Sequence, residues 1–263
     1  MFANTAVGAA PGLLKLLAHD LRWRALVALS RSDYRVQELS SILNEPHNVL
    51  SYHLRRLRDS HLVNEHRSAA DARDVYYSID FKRVRDLYFA TGEALHPAMR
   101  EDPVNTEIDK GATGTRLKRP VRILFLCTHN SARSQMAEAL LRHMASDHIE
   151  VASAGTEVSH VHPDAIRTMS EFGIDISGQR SKHLSEFLGQ HWDYVVTVCD
   201  RAKESCPIFP GDPERIHWSF ADPAAVESEE ARQAAFRKTA RELVTRLRML
   251  MALIENDTKH ISA

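Results

Sequence analysis

Residues 121–138, which read VRILFLCTHNSARSQMAE, restrict the fold of this chain more than any other stretch. They begin as an apolar run with the length of one buried strand. A polar loop follows, from Cys127 to Ser134, and a helical pattern resumes at Gln135. A cysteine and an arginine, Arg133, therefore lie in a loop that joins the end of a strand to the start of a helix.

A loop with these features is suited to bind an oxyanion. Its backbone N–H groups can converge on the anion, the helix N-terminus adds partial positive charge, and the planar guanidinium of Arg133 can bind two oxygens. The same field should lower the pKa of Cys127 and make a thiolate available for attack, and Ser134 is placed to donate a hydrogen bond to it. The alternative is a buried cysteine that only packs at the end of a strand. The predicted oxyanion-binding residues are Thr128, His129, Asn130, Ser131, Ala132 and Arg133.

This stretch resembles the active-site loop of the low-molecular-weight tyrosine phosphatase superfamily. Within that superfamily, CTHNSARSQMAE is most similar to the loop of the thioredoxin-coupled arsenate reductases. The resemblance implies an α/β fold with a four-stranded parallel sheet flanked by helices over residues 121–263. The pattern after the loop agrees, because predicted strands and helices alternate. Further strands are predicted over 150–152, 194–199 and 215–220, and helices over 134–145, 163–172 and 229–254.

All three cysteines lie in this half of the chain: Cys127 in the loop, and Cys199 and Cys206 seven residues apart in CDRAKESCP. A phosphatase needs only the first. The resemblance to the arsenate reductases implies that the other two relieve Cys127 of its oxidised product by thiol–disulfide exchange. The alternative is two unrelated structural thiols. The resemblance also implies that Asp222, which precedes Pro223, is the general acid.

The resemblance implies a complete reaction sequence. Arsenate binds the loop and Arg133, Cys127 attacks the arsenic, and Asp222 protonates the departing oxygen. Cys199 then attacks Cys127, which expels arsenite, and Cys206 attacks Cys199. A thioredoxin reduces the resulting disulfide, and no bound cofactor is needed. The segment between the last two cysteines must unfold locally, which its polar composition permits.

Several positions bear on how closely the chain follows these relatives. The phosphatases typically carry an aromatic residue after Asp-Pro, where this chain has Ala224, as the reductases do. His129 occupies a loop position where several reductases have glycine.

Some family members bind potassium near the loop, but Lys182 stands where one carboxylate ligand is expected. We therefore predict no bound metal, with the lysine charge in place of the cation. The residues that match the rest of that cation site are Asn130, Glu138 and Ser153.

The first hundred residues predict a helix-turn-helix. Apolar periodicity indicates helices over 13–29, over 36–43 and, after the turn at Asn44-Glu45-Pro46, over 47–62. The last helix is polar and basic on its free face, as a recognition helix is. Its other face is expected to pack in the core through Val49, Leu50, His53, Leu54, Leu57 and Leu62.

The elements that follow predict a wing. The order of elements resembles the ArsR family of winged-helix regulators over about residues 10–96, with LSYHLRRLRDSHLV as the best-matching segment. The resemblance implies an α+β winged helix-turn-helix in residues 1–96 that binds a two-fold operator as a homodimer. The wing strands are predicted over 62–66 and 75–79, their turn at 70–74, and a closing helix over 81–95.

The DNA-binding prediction rests on the free face of the recognition helix. Residues 1–96 carry 13 Lys/Arg and 11 Asp/Glu, a net charge of only +2 (13 − 11), but arginines cluster on this helix and in the wing. Such arginines are suited to contact phosphates, and the shorter polar side chains to reach base edges. The alternative is a solvated helix face that serves protein contacts. The predicted DNA-binding residues are His47, Asn48, Ser51, Tyr52, Arg55, Arg67 and Arg73.

Length and composition agree with two domains. At 263 residues the chain exceeds one average domain, and its apolar fraction of 43% suffices for real cores. Residues 97–120 collect Pro, Gly, Thr and charges, which predicts a flexible linker. Three cysteines argue against a secreted disulfide framework. With no signal peptide and no apolar run of about 20 residues, we expect a cytoplasmic protein that does not bind membranes.

Three hypotheses follow. The leading one is a DNA-binding regulator fused to a thioredoxin-coupled arsenate reductase. The second is a tyrosine phosphatase, which the three thiols and Ala224 disfavour. The third treats the C-terminal domain as a thiol sensor of arsenic or oxidation that changes operator affinity. The N-terminal domain itself has no cysteine, and its candidate metal-binding histidines are expected to be structural: His47, His53, His61 and His66.

Overall fold

The computed structural model describes residues 10–95, 120–145 and 148–261, with side chains up to residue 254. The described residues form two compact units. One contains residues 10–66 and 75–95, and the other contains 120–145 and 148–261 together with the hairpin loop 67–74. The predicted linker lies almost wholly outside the described residues, so the predicted domain limits remain a prediction.

The N-terminal unit consists of α1 (Gly12–Leu17), α2 (Asp20–Arg31), β1 (Tyr34–Arg35), α3 (Val36–Leu43), α4 (His47–Asp59), β2 (Val63–Arg67), β3 (Val75–Ile79) and α5 (Phe81–Leu95). Its strands form a small sheet in the order β1-β3-β2. The turn between α3 and α4 is possible because Asn44 adopts a left-handed conformation, with φ of 52°. This is the predicted winged helix-turn-helix, and that part of the fold prediction is confirmed.

The recognition helix α4 differs from the prediction in two places. It ends at Asp59 rather than at Leu62, because His61 adopts a left-handed φ of 57° that a helix does not allow. Leu62 is nevertheless fully buried. Val49 was predicted to face the core, and this is wrong, since 38% of its surface is exposed. It lies about 100° around the helix from the buried Leu50, outside the apolar stripe.

The C-terminal unit consists of β4 (Val121–Cys127), α6 (Arg133–Met144), β5 (Ile149–Gly155), α7 (Pro163–Glu171), β6 (Tyr194–Thr197), α8 (Asp200–Glu204), β7 (Glu214–His217) and α9 (Glu229–Ile261). The four strands are all parallel and lie in the order β5-β4-β6-β7. The predicted four-stranded parallel sheet flanked by helices is therefore confirmed.

Strand β4 lies inside this sheet, between β5 and β6. Ile123, Leu124 and Phe125 are completely buried, as expected where helices cover both faces of a parallel sheet. Helix α9 packs against both α6 and α7, and α6 packs in turn against β5. Both strand neighbours of β4 run in the same direction, so their carboxyl ends meet at one edge of the sheet. No helix in the described part of the chain is both long and apolar enough to span a bilayer.

Several C-terminal boundaries differ from the prediction. β5 is longer than the three residues predicted, and β7 ends at His217 rather than at Phe220. β6 ends at Thr197, because the chain turns into α8, a short helix that the sequence analysis did not predict. Cys199 is the residue before this helix and not the end of a strand. The segment between Cys199 and Cys206 is thus helical over most of its length.

Candidate active site and nucleic-acid interface

The predicted oxyanion loop lies at the carboxyl end of β4. The strand ends at Cys127 and α6 begins at Arg133, one residue before the predicted start. The first turn of a helix leaves backbone N–H groups without intrahelical partners, and these point toward the loop. Several residues of the loop and of the start of α6 have less than a tenth of their surface exposed: Thr128, Asn130, Ala132, Arg133 and Ser134.

The Cys127 thiol is held by two polar contacts. Its Sγ lies 2.8 Å from Oγ of Ser134 and accepts a 3.0 Å hydrogen bond from the backbone N–H of Asn130. Burial raises the pKa of this thiol, and the neighbouring Cys199 acts in the same direction. Three groups lower the pKa of Cys127: the hydrogen bond from Ser134, the charge of Arg133 and the N–H of Asn130. Their combined effect is smaller than the effect of burial. The predicted lowering of the Cys127 pKa is therefore wrong.

Asn130 organises the loop through both its backbone and its side chain. Its left-handed φ of 47° directs its N–H toward Cys127. Its side-chain amide donates to Oγ of Ser134 at 2.9 Å and to Oγ of Ser153 at 2.8 Å. Asparagine tolerates the left-handed region better than most residues, so the residue whose side chain makes these hydrogen bonds can also adopt this backbone conformation. Its two oxygens accept hydrogen bonds from Gln135, Ser181 and the backbone N–H of Lys182.

A buried carboxylate, Glu138, lies behind Asn130 and pairs with two cationic side chains. The Glu138 carboxylate accepts hydrogen bonds from the hydroxyl of Ser153 and from Nζ of Lys182, the latter at 3.0 Å. Arg142 binds its other oxygen. Lys182 thus places an ammonium on the carboxylate that a potassium ion would need, and these residues do not fit that ion. The described residues contain no group of three or more His, Cys, Asp or Glu that could hold a metal ion.

Gly155, at the end of β5, allows the loop to lie close to that strand. A Cβ at this position would lie 2.6 Å from the carbonyl oxygen of Thr128 and 2.8 Å from the backbone nitrogen of Asn130. The N–H of Glu157 also donates to the carbonyl of Thr128 at 2.8 Å. Because these groups are backbone atoms, they cannot rotate away from a side chain, and only glycine fits without moving the loop.

Arg133 and the predicted general acid lie side by side. The guanidinium of Arg133 donates to the carbonyl oxygen of Phe220 at 2.9 Å and lies 3.3 Å from Oδ2 of Asp222. The Asp222 side chain is 43% exposed and accepts a hydrogen bond from the N–H of Ala224. Asp222 thus lies beside the guanidinium that is predicted to bind the anion, and its role as general acid stays a prediction.

The strand register brings Cys199 to the loop. β4 and β6 pair with Leu126 opposite Thr197, and neighbouring strands lie about 4.8 Å apart. Two residues after Thr197, the Sγ of Cys199 lies 3.4 Å from Oγ1 of Thr128, which directly follows Cys127. Cys199 therefore contacts the residue that follows Cys127, and both cysteines are buried.

Cys206 lies on the far side of α8. It is partly exposed, whereas Cys199 is buried. Burial raises the pKa of the Cys206 thiol, and Arg215 opposes this shift. The five residues of α8 alone advance about 7.5 Å along the helix axis. The structure therefore separates the two cysteines that the predicted relay has to join.

The remaining loop residues contact groups that the sequence analysis did not single out. Nδ1 of His129 lies 3.3 Å from a carboxylate oxygen of Glu157, and the carbonyl of Ser131 accepts a 2.8 Å hydrogen bond from the N–H of His162. Ala132 is buried. The contact to Ser131 uses a backbone group, which every residue except proline has, so no sequence signal pointed to His162.

The predicted base-reading residues share one face of α4. The opposite face, with Leu50, Leu54 and Leu57, is completely buried. His53 is also buried, as predicted. Ser51 is half-buried, and its hydroxyl lies 3.5 Å from Nδ1 of His47. The other predicted residues of the helix are exposed: His47, Asn48, Tyr52 and Arg55.

The two wing arginines contact their own hairpin loop. Arg67 donates to the carbonyl oxygen of Ala72 at 2.8 Å. Arg73 pairs with the Asp71 carboxylate at 2.7 Å and lowers the pKa of Asp71 to about 2. A phosphate contact by Arg73 would therefore have to replace Asp71 as its partner.

Gly155→Ala is expected to disrupt anion binding, because its Cβ would push the backbone of the loop away from β5. A displacement of this size typically lowers activity by about 100-fold. Calorimetric titration with arsenate measures the loss of binding. Gly178→Ala is the matched control, since a Cβ there meets nothing within 4 Å. Unchanged binding in Gly155→Ala would contradict the role given to this glycine.

Ser134→Ala is expected to raise the pKa of Cys127 further, because it removes a hydrogen bond that favours the thiolate. Alkylation of Cys127 by iodoacetamide at neutral pH should slow by about tenfold, and its pH dependence should move upward. Peptide mass spectrometry measures alkylation of each cysteine separately. The exposed Ser170→Ala serves as control. A Ser134→Ala protein with the wild-type pH profile would show that this hydroxyl does not stabilise the thiolate.

Known proteins match both units. Residues 122–260 match the family of low molecular weight phosphotyrosine protein phosphatases. Residues 19–65 match the arsR family of bacterial regulatory proteins. The two matches fall in the C-terminal and the N-terminal unit respectively.

The named relatives of the C-terminal unit are arsenate reductases. That of Halalkalibacterium halodurans is 45% identical over 127 residues, which cover 48% of this chain and 91% of the relative. The arsenate reductase of Bacillus subtilis is 42% identical over 127 residues, which again cover 48% of this chain and 91% of the relative. A solved structure of an arsenate reductase in the phosphate binding state is 34% identical, with a TM-score of 0.42, and the match covers 51% of this chain and 98% of that one. The chain belongs to the low molecular weight phosphotyrosine protein phosphatase family, with arsenate reductases among its relatives, and carries an arsR-family helix-turn-helix before that domain.

Proposed function

We propose that residues 121–263 reduce arsenate to arsenite through three cysteines, and that residues 1–96 bind operator DNA. The observation that carries the enzyme proposal is the position of Cys199, hydrogen-bonded to Thr128 next to Cys127. A phosphatase with this loop needs a single thiol. A second thiol at the same strand edge supports a reaction that ends in a disulfide. The arsenate reductases among the relatives support the same reaction.

The first step is attack by Cys127 on bound arsenate. The anion binds the N–H groups of the loop and the guanidinium of Arg133. The Cys127 thiol gives its proton to the bound arsenate dianion, and the resulting thiolate forms a bond to arsenic. Asp222 gives its proton to the departing arsenate hydroxyl group, which leaves as water. Ser134 and the N–H of Asn130 stabilise the thiolate. Arsenic is still pentavalent at the end of this step.

The second step reduces arsenic. The Cys199 thiolate attacks Sγ of Cys127, a 127–199 disulfide forms, and the sulfur–arsenic bond breaks. Its electron pair stays with arsenic, which leaves as trivalent arsenite. The two thiols have together supplied two electrons. In the third step Cys206 attacks Cys199, the disulfide moves to 199–206, and Cys127 is released as a thiolate.

We infer that a thioredoxin reduces the 199–206 disulfide. Cys206 is the least buried of the three cysteines. Ile208, two residues later, has 88% of its surface exposed, which gives a reductant an apolar contact beside the disulfide. Three free thiols that must return to the reduced state fit a reducing compartment, the cytoplasm. No cofactor has to be held by the protein in this scheme.

The phosphatase alternative has less support. Ala224 follows Asp222-Pro223, so this position offers no aromatic ring to a phosphotyrosine. The sensor alternative uses the same thiols without turnover. Arsenate and an aryl phosphate, tested in parallel, separate the reductase from the phosphatase, and absence of turnover with both would favour the sensor.

We propose that the N-terminal unit binds DNA as a homodimer. Helix α5 has no buried residue, and its Tyr88 and Leu95 are 64% and 80% exposed. Leu14 on α1, which packs beside α5, is 50% exposed. An apolar surface on these two helices fits a second copy of the chain. A dimer would present two α4 helices to a two-fold operator.

The protein is expected to consume NADPH with arsenate when thioredoxin and thioredoxin reductase are present. Cys206→Ser should release arsenite once per chain and then stop, because its 127–199 disulfide cannot move. Arsenite is quantified by chromatography coupled to mass spectrometry. Ser205→Ala, next to Cys206, is the control and should cycle normally. Repeated turnover by Cys206→Ser would refute the relay.

Arg55→Ala is expected to weaken DNA binding by about tenfold and to reduce the slope of log K against log salt by about 1, because one phosphate contact is lost. Fluorescence anisotropy measures binding to a labelled duplex that the wild-type protein selects from a random library. Arg56→Ala removes the same charge about 100° around α4 and should have a smaller effect. Equal effects of the two substitutions would count against a specific contact by Arg55.

A further inference from the structure

A buried polar cluster holds the start of α8, outside the oxyanion loop. Asp200, the first residue of the helix, is 4% exposed, and His217, at the end of β7, is 3% exposed. Nε2 of His217 lies 3.1 Å from Oδ1 of Asp200, and the hydroxyl of Ser219 donates to the same oxygen. On its other side, Nδ1 of His217 lies 2.8 Å from Oγ1 of Thr197, the last residue of β6.

The carboxylate in this cluster is charged. Burial alone would raise the pKa of Asp200, but hydrogen bonds, among them those from His217 and Ser219, outweigh burial and lower its pKa to about 2. A buried charge that loses its hydrogen-bond partners is strongly unfavourable. The start of a helix also favours a negative side chain. Asp200 is therefore held firmly in its place.

Helix α8 depends on such an anchor. It has only five residues, far fewer than an isolated helix needs to be stable in water. Apart from Asp200, its buried residue is Ala202, whose side chain is small. The helical conformation of the segment that joins Cys199 to Cys206 therefore rests largely on the side chain of Asp200.

The proposed relay requires this helix to unwind. A disulfide needs Cα atoms roughly 4.4–6.8 Å apart, whereas Cys199 and Cys206 lie beyond opposite ends of α8, whose five residues alone span about 7.5 Å. We propose that Asp200 is a positioning residue that keeps Cys199 beside the oxyanion loop, and that its release from His217 and Ser219 limits the transfer of the disulfide from 127–199 to 199–206.

This inference rests on the proposed function for the transfer step itself. In that step the Cys206 thiolate attacks Sγ of Cys199 and a new S–S bond forms. The 127–199 bond breaks, and its electron pair leaves with Cys127 as a thiolate. One disulfide replaces another, so no further oxidant is needed. The anchoring of α8 by Asp200, in contrast, is independent of arsenate.

Two substitutions test the anchor in the full-length reduced protein. Asp200→Asn keeps the shape and removes the charge, and Ser219→Ala removes one hydrogen bond. Backbone amide exchange over residues 200–206, followed by mass spectrometry, should become about tenfold faster in Asp200→Asn and less so in Ser219→Ala. Asp175→Asn, at an exposed aspartate, is the control and should exchange as the wild type does. Unchanged exchange in both variants would overturn the anchor.

Single-turnover quenching with arsenate tests the effect on the relay. Once the 127–199 disulfide has formed, its transfer to 199–206 should be about tenfold faster in Asp200→Asn, whereas arsenite release should be slower, because Cys199 is no longer held beside the loop. A residue with a merely structural role would slow both steps, and that result would overturn the proposal. If Asp200→Asn does not fold, Ser219→Ala decides with the same two readouts. If the wild type releases no arsenite, the proposed function fails, and amide exchange still tests the anchor.

Discussion

The parallel pairing of β4 with β6 is the constraint on which the site depends. With Leu126 opposite Thr197, the strand ends that carry Cys127 and Cys199 emerge at the same edge of the sheet. A shift of one residue in this register would move Cys199 away from Thr128. Because both strands are buried on both faces, such a shift would also misplace their apolar side chains, so the core that stabilises the fold also fixes the two thiols.

The loop itself is held from behind by hydrogen bonds. Asn130 connects the Cys127 thiol to Ser153 and, through it, to the Glu138–Lys182 pair. A lysine in this position carries its positive charge on the chain and pairs with Glu138. The buried carboxylate is paired and hydrogen-bonded, which is the condition for a stable buried charge.

The sequence predicted most elements of both units and the position of the loop between β4 and α6, because strand and helix periodicity and the order of polar residues are local properties. The failures have non-local causes. The pKa of Cys127 depends on how deeply the loop is buried, which the loop sequence does not contain. Helix α8 is too short for a periodic pattern and depends on His217, far away in sequence. The role of Gly155 becomes clear only when its distance to Thr128 is known.

The central claim is that oxidising equivalents pass from Cys127 to the 199–206 pair. It is tested most directly by adding one equivalent of arsenate to the fully reduced protein without thioredoxin, followed by alkylation and disulfide mapping by mass spectrometry. The account predicts a disulfide between Cys199 and Cys206, with Cys127 alkylated and one arsenite released per chain. Recovery of both Cys199 and Cys206 in alkylated form after arsenite release would contradict it.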